Sequence, residues 1–375
     1  MGVATLVVPS TAAQASTGAD HDAFRQVNLV SDIPGRAQLL DRQVKNPWGI
    51  AFGPTTPIWV NNNFNPALAN VCPTCVPTPA QLRTKITLYA GANGKQPITK
   101  VPLEVTASAP TGIVFNPTTS FVVQQRGVRA PARFIFDELT VNTALKAPVA
   151  KVTGWSNAAN PLPTTTATTG AHHNNASYFG LAMIPGPRLL AVGALANNAG
   201  VIDVFNGAFR KVNMPGAFVD PNTRGLPPYG VAFLNGRVYI SYATFGNRHA
   251  QVSVFTPQGR FVKHLVTDGP LAGPWGMTIA PKGWGDFGGA LLVGNVDNGR
   301  INAFNPTSGR FLGTLKDAHG HALVNPGLWG LAFGNGVIGT PRTLLFSAGI
   351  GSAPGGFGKD IYAHGLVGLI KPLDD

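Results

Sequence analysis

Three sets of side chains in this sequence have the chemistry to bind or transform a ligand. The first is histidine. Of the eight in the chain, His172 and His173 lie in "GAHHNNASYFG", His249 in "GNRHAQ", His319 and His321 in "DAHGHA", and His364 in "YAHGLVG". An imidazole ligates transition metals when neutral and titrates near neutrality. His172, His173 and His249 are therefore candidate general bases, and together with His364 they are candidate metal ligands. The competing reading is that these are ordinary loop histidines. The second set is six residues that each precede a glycine and an apolar run: Trp48, Thr111, Phe179, Tyr229, Trp275 and Trp329. Five of these are aromatic, so Trp48, Phe179, Tyr229, Trp275 and Trp329 could form a collar that stacks on a sugar or a planar ring, or could wedge neighbouring elements together. The third set is amides and small polar residues that follow apolar runs: Asn61, Asn62, Asn63, Gln124, Gln125, Asn197, Asn198, Asn247, Asn295 and Ser347. Asn62 and Asn295 join the aromatic residues as ligand-binding candidates.

Acids are placed less well. Calcium or a catalytic divalent ion prefers carboxylate ligands, and the only glutamates, Glu104 and Glu138, fall outside the second apolar run of any clear repeat. Glycoside hydrolysis needs two carboxyl groups facing one another, and no pair recommends itself. Asp297, in "GNVDNGR", is the one well-placed acid, although Asp before Asn-Gly also builds turns. There is no G-x-S-x-G elbow, phosphate loop, dinucleotide-binding glycine pattern or H-E-x-x-H. No cofactor is implied.

The elements that must position these residues announce themselves by repetition. "NPWGIAF" at 46–52 recurs as "GPWGMTI" at 273–279 and "GLWGLAF" at 327–333. The six residue-plus-glycine phrases are spaced by 63, 68, 50, 46 and 54 residues, the size of a four-stranded propeller blade with insertions in the first two units. After each phrase comes an apolar strand ("RVYISYA", "ALLVGNV", "TLLFSAG") and then an alternating one that ends in a turn ("ITLYAGANG", "VIDVFNGA", "VSVFTPQG", "INAFNPTSG"). Period-two alternation before Asn-Gly, Gln-Gly or Ser-Gly marks a half-buried strand and its hairpin. The expected fold is all-β, a six-bladed β-propeller. "SFVVQQ", "ARFIFDE" and "VAKVTGW" supply strand enough for an alternative of seven blades. The ring needs closure, and "FRQVNLVSD" (24–32) is expected to complete the last blade beside "HGLVGLIKP" (364–372). "TTTATT" (164–169) reads as a flexible insertion.

Composition agrees. Glycine (46) and proline (32) are abundant and charged residues are only 12%, which suits short strands and tight turns. Residues 1–15 are apolar and small and finish in Ala13-Gln14-Ala15, a secretory cleavage pattern without its basic leader. They are expected to be the remnant of a signal peptide, with 16–375 a single propeller domain of a secreted protein. No other stretch is long and apolar enough to span a membrane. Cys72 and Cys75, in "NVCPTCVPTP", are expected to form a disulfide that staples a Pro-rich loop. The net charge is +12, but the basic residues are scattered, with Arg126, Arg129 and Arg133 as the one cluster, so no nucleic-acid footprint is visible. An extracellular protein or an anionic cell-surface glycan is the expected partner of such a charge, and the protein is expected to be a monomer.

"NLVSD", "NPWGIAF", "LLVGNVDNGRINAFNPTSGRFLGTLKD" and "GLWGLAFGNG" are similar to a family of secreted bacterial propeller proteins, over Val27 to Pro372 and most strongly after residue 270. The Gly-apolar-Ala strands look more distantly like those of the NHL, gluconolactonase and strictosidine-synthase-like propellers. A looser parallel, in fold, basicity and secretion, is the actinomycete cell-wall propeller known as the dispase autolysis-inducing protein, a transglutaminase substrate. The resemblance implies a fold and no defined activity. The gluconolactonase-like relatives hold a metal with a Glu, an Asp and amides, a set this sequence does not reproduce. The function expected is binding of a protein or glycan partner at the cell surface. The alternative is a channel-mouth lyase or hydrolase acting on a small aromatic or sugar-derived substrate, metal-assisted through the histidines.

Overall fold

Short alternating segments punctuated by glycine, proline and asparagine leave little to form except strands. The computed structural model shows strands throughout, with only two 3-10 turns, Gly285–Phe287 and Pro354–Gly356, among the described residues. Those residues are 23–63, 78, 80, 82–142, 144–160, 165–244, 246, 249–356 and 358–374. Six small sheets ring one axis. Blade 1 runs from its inner strand outward as Pro47–Ala51, Ile58–Asn62, Arg83–Ala90 and Thr99–Ser108. Blade 2 is Pro110–Phe115, Phe134–Asn142, Ala147–Trp155 and Thr168–Asn174. Blade 3 has three strands, Ala176–Ile184, Arg188–Leu195 and Gly200–Asn206, with a single Phe205–Lys211 bridge in place of a fourth. Blade 4 is Pro228–Leu234, Arg237–Tyr242, Gln251–Phe255 and Phe261–Thr267. Blade 5 is Pro274–Ile279, Leu291–Asn295, Ile301–Phe304 and Phe311–Thr314.

Blade 6 takes Leu328–Phe333, Leu344–Ala348 and Leu366–Pro372 from one end of the chain and its fourth strand, Phe24–Ser31, from the other, with the short Leu39–Leu40 paired parallel beyond it. The closing strand pairs antiparallel with Leu366–Pro372, Phe24 opposite Pro372 and Ser31 opposite Leu366. Phe24, 1% exposed, packs 4.6 Å from the Trp284 ring of blade 5. The ring is therefore closed as the sequence predicts.

The phrase glycines set how close the inner strands come. A Cβ on Gly49 would lie 2.5 Å from the Thr111 carbonyl oxygen of blade 2, and one on Gly276 2.2 Å from the Trp329 carbonyl oxygen of blade 6. Contacts that short leave room for hydrogen alone. Farther out, aromatic residues fill the wedges between blades, as where Trp59 of blade 1 stacks on Phe134 of blade 2 at 4.2 Å.

Several expectations are corrected. The described residues form no seventh blade. "ARFIFDE" and "VAKVTGW" become the second and third strands of blade 2, and "SFVVQQ" becomes half of a side hairpin, Val122–Gln125 with Val128–Pro131. That hairpin turns Phe121 and Ala132 into the core shared with Phe205 and Phe209 of blade 3. Gln124 and Gln125 thus end no second strand. Glu138, which periodicity leaves outside the repeat, lies on the second strand of blade 2 opposite Pro110. The latter part of "TTTATT" is ordered, with Thr168 and Thr169 opening the outer strand of blade 2. The signal-peptide segment 1–15, the Cys72–Cys75 disulfide and Asn247 lie outside the described residues.

Candidate functional site at the mouth of the central channel

Each inner strand enters the ring at the residue before its glycine, so the six such residues meet at one end of the channel. The channel itself is narrow, about 100 Å³, and lined by backbone and by Ile113, Leu181, Val231, Met277 and Leu331. At its mouth the collar residues pack on each other. Trp48 stacks on Trp329 with ring centroids 3.7 Å apart, and Trp275 meets both edge-on at 6.1 and 5.8 Å. Tyr229 lies 6.2 Å from Trp329 and 5.9 Å from Phe179. Trp329 is fully buried and Trp48 8% exposed. Thr111 contributes no ring, and its hydroxyl donates to the Tyr178 carbonyl at 3.0 Å. Two indole N–H groups fix the plug, Trp275 Nε1 donating across the mouth to the Phe179 carbonyl and Trp329 Nε1 to Asn46 Oδ1, each at 3.0 Å, while the buried Trp48 Nε1 has no hydrogen-bond partner among the described residues.

Asp297 stands at this mouth. It is half-buried, accepts from the Gly246 N–H at 3.3 Å, and desolvation raises its carboxyl above the usual range. Its charge reaches the Tyr229 and Tyr362 hydroxyls, and burial with that charge pushes Tyr362 up to about 12. The mouth thus presents the Asp297 carboxyl group and the part-buried Tyr362 phenol above a floor of indole, with the Tyr229 hydroxyl buried beneath. Tyr362 and Asn46 escape detection from sequence. Both hold positive φ, 74° and 42°, and the available signals are weak: Asn46 precedes the proline of "NPWG", and Tyr362 sits in the Gly-rich run after blade 6's second strand.

The amides are used by the fold. Asn62 donates to the Lys85 carbonyl at 2.8 Å and to Thr87 Oγ1 at 3.0 Å within its own blade. Asn295 Oδ1 accepts from the Ala272 N–H at 2.8 Å, and its amide donates to the Arg300 carbonyl at 3.1 Å. One level farther in, side chains tie blade to blade. Asn61 donates to the Thr111 and Gly112 carbonyls at 3.1 and 3.0 Å, Ser241 to Pro274 at 2.7 Å, and Ser347 to Trp48 at 2.5 Å. The register that sets Pro47 opposite Asn62 and Pro110 opposite Glu138 puts Asp137 at this level in blade 2. Neither of its buried oxygens has a hydrogen-bond partner among the described residues, and desolvation pushes its pKa well above the ordinary value. Asp137 therefore favours its protonated form, as a residue that replaces a donor should. Its neighbour Glu138, accepting from Thr153 Oγ1 at 2.6 Å and the Ser108 N–H at 2.9 Å, is raised by burial to about 7.

The histidines are dispersed. His172 and His173 lie on the outermost strand of blade 2, opposite Lys151 and Ala150, away from the mouth that their place before an inner strand suggests. His173 Nδ1 meets Asp203 Oδ2 at 2.6 Å, an oxygen that also accepts from the Tyr178 hydroxyl at 2.5 Å. His249 is exposed and lies 3.2 Å from Asp268, whose carboxyl Arg224 and then His249 hold below the usual range. His364 Nδ1 meets the buried Asp32 at 2.7 Å, beside Lys45. Among the described residues no three His, Cys, Asp or Glu side chains gather as a metal site.

No protein-family model matches the chain. Uncharacterized protein R648 of Acanthamoeba polyphaga mimivirus is 27% identical over 322 residues, covering 81% of this chain and 72% of that protein. Uncharacterized protein L690 of the same virus is 43% identical over 81 residues, 22% of this chain, so that the match spans only 21% of that protein. Among solved structures, the PQQ-bound aldose sugar dehydrogenase of Streptomyces coelicolor superposes with a TM-score of 0.52 at 13% identity, covering 93% of this chain and 99% of that one. The GH93 α-L-arabinofuranosidase of Fusarium graminearum gives 0.52 at 12% identity, covering 93% and 98%. A luciferin-regenerating enzyme gives 0.50 at 14% identity, covering 88% and 92%. At such identities the likeness is one of fold, and with the six sheets about one axis it places the chain among the β-propellers.

Proposed function

We propose that this chain is an exported, non-catalytic binding propeller that engages an anionic partner, an extracellular protein or a cell-surface glycan, through its exterior. The observation that carries this reading is the collar. Its largest rings spend their faces on each other, Trp48 against Trp329 at 3.7 Å, and so leave no slot for a planar or sugar ligand between them. The dispersed histidines, with His173, His249 and His364 each beside a different carboxylate, support it, and 28 basic against 16 acidic residues favour an anionic counterpart.

The test is binding of the purified full chain to polyglutamate and to heparin, with neutral dextran as control, at low and high salt. Binding to a polyanion that high salt abolishes is the expected result. Failure of both polyanions, together with turnover of a lactone or glycoside that Asp297→Asn abolishes, would overturn the proposal in favour of a channel-mouth enzyme.

A further inference from the structure

Blade 3 stops one strand short, and the sequence shows why. A fourth strand begins after Gly200–Asn206: the Asn206 N–H donates to the Arg210 carbonyl at 2.9 Å and the Val212 N–H to the Val204 carbonyl at 2.7 Å. It ends at Pro215 and Gly216. Proline has no N–H to give to a ladder, Gly216 holds a φ of 75°, and the Ala217 N–H closes the turn on the Met214 carbonyl at 3.0 Å. The chain then crosses to blade 4. There the Phe218 N–H donates to the Gly259 carbonyl at 2.7 Å, and Asp220 accepts from Ser253 Oγ at 2.5 Å, His264 Nε2 at 2.7 Å and Gln251 Nε2 at 3.0 Å. The segment that could have completed blade 3 is thereby held by its neighbour.

An open sheet edge is left inside a cleft. Along a strand the backbone groups of alternate residues point out of the sheet on the same side. Those of Val204 and Asn206 reach the Arg210–Val212 segment, so those of Gly200 and Ile202 point the same way, and the pairing with Arg188–Leu195 has no bulge to interrupt the alternation. Neither residue's outward N–H or C=O has a hydrogen-bond partner among the described residues. The cleft beside them holds about 370 Å³ and is lined also by the buried Phe218, Leu226 and Tyr242 and by Val219, which is 59% exposed. Outer strands of the complete blades have an edge too, but here the edge lies one strand inside the rim and apolar side chains flank it. Backbone donors and acceptors at strand spacing match a polypeptide, which repeats both groups at that spacing. Two copies of this chain meeting edge to edge over three residues would bury far less than the roughly 1,200 Å² of a stable interface, whereas a peptide has only to fill the cleft.

We infer that blade 3 takes an extended segment of a partner protein as its missing fourth strand, the segment's main chain paired with Gly200 and Ile202 and an apolar side chain set against Phe218 and Leu226. The inference goes beyond the proposed function, because it uses backbone and apolar contacts where that reading uses charge.

The test uses an end-blocked, uncharged peptide of alternating valine and threonine. Its labelled form is titrated with the full chain by fluorescence anisotropy, and amide hydrogen exchange of the chain is followed with and without it. Saturable binding is expected, with slower exchange at Gly200 and Ile202 and no change in the outer strands of blades 4 and 5, Phe261–Thr267 and Phe311–Thr314. Ile202→Pro removes an N–H that makes no hydrogen bond within the sheet, and it is expected to weaken binding at least about tenfold. If that variant does not fold, the exchange pattern of the unaltered chain decides. No binding, binding without protection at Gly200 and Ile202, or protection spread over the outer strands of blades 4 and 5 overturns the inference, as does undiminished binding by a folded Ile202→Pro. Protection of Gly200 and Ile202 in the chain alone overturns it too: the occupant is then a second copy if protection rises with protein concentration, and another part of the same chain if it does not. A peptide that fails while polyglutamate or heparin still binds leaves the proposed function standing.

Discussion

Replacing Glu138 by glutamine should make the protein more stable, and by an amount that depends on pH in a defined direction. Glu138 is buried between blades 1 and 2, and burial raises its pKa from 4.5 to about 7. A carboxyl whose folded-state pKa is raised contributes stability that is fully present below the unfolded pKa. That contribution is lost as pH climbs toward the folded one. Between pH 5 and pH 6.5 this one group should lower the unfolding free energy by about 1.4 kcal/mol per pH unit, and by pH 7 the loss is about 3 kcal/mol. Glutamine has the same shape. Its oxygen can accept from the Ser108 N–H, and its amide can donate to Thr153 Oγ1, the two partners Glu138 already has. Urea unfolding of the two proteins across this range should give curves that coincide near pH 4 and separate as pH rises, the variant being the more stable. Asp137, also raised by burial, keeps a slope of its own in both, so only the difference is diagnostic. Parallel curves, or a variant less stable at pH 7, would refute the assignment of a buried, protonated Glu138.

Three further outcomes follow from the geometry. Gly276→Ala should cost about 3 kcal/mol or more, or prevent folding, because the new Cβ meets backbone at 2.2 Å, whereas Gly180→Ala, whose nearest neighbour would be at 3.3 Å, should change the melting temperature little. Trp48→Ala should cost about 3–5 kcal/mol and remove the near-UV circular dichroism of the stacked Trp48–Trp329 pair. Deleting residues 16–34 removes the outer strand of blade 6 and should abolish cooperative unfolding, which calorimetry would show as a broad or absent transition.

The ring was legible because its signal is repeated: six phrases, each with the glycine that close approach of the inner strands demands. Blade 2 was the hardest to read. Its side hairpin separates the inner strand from Phe134–Asn142, so the spacing that identifies second strands elsewhere pointed to Gln124 and Gln125 and away from Glu138. The collar was found as a set of residues, but a sequence cannot say whether neighbouring rings face a ligand or one another. That depends on how far the strands are tilted and how Trp329 and Asn46 are bonded. The histidines were misplaced for a related reason. Standing just before an inner strand in sequence, His172 and His173 belong to the outer edge of the preceding blade, because the outer strand of blade 2, Thr168–Asn174, is followed after a single residue by the inner strand of blade 3, Ala176–Ile184.

The assembly of blade 6 from both ends of the chain has a consequence for how the chain is made. Ser31 donates its hydroxyl hydrogen bond to the Gly365 carbonyl, a partner 334 residues away, so the closing strand must wait for one synthesised hundreds of residues later. Until then Phe24 and Leu29 have no blade to enter, and blade 6 cannot be complete. Blades 1 to 5 can form from local hairpins as they emerge, but the loop that brings the closing strand home is paid for in entropy before any of its contacts form. Ring closure should therefore be the slow step of folding and the strand exchange of the seam the first event of unfolding.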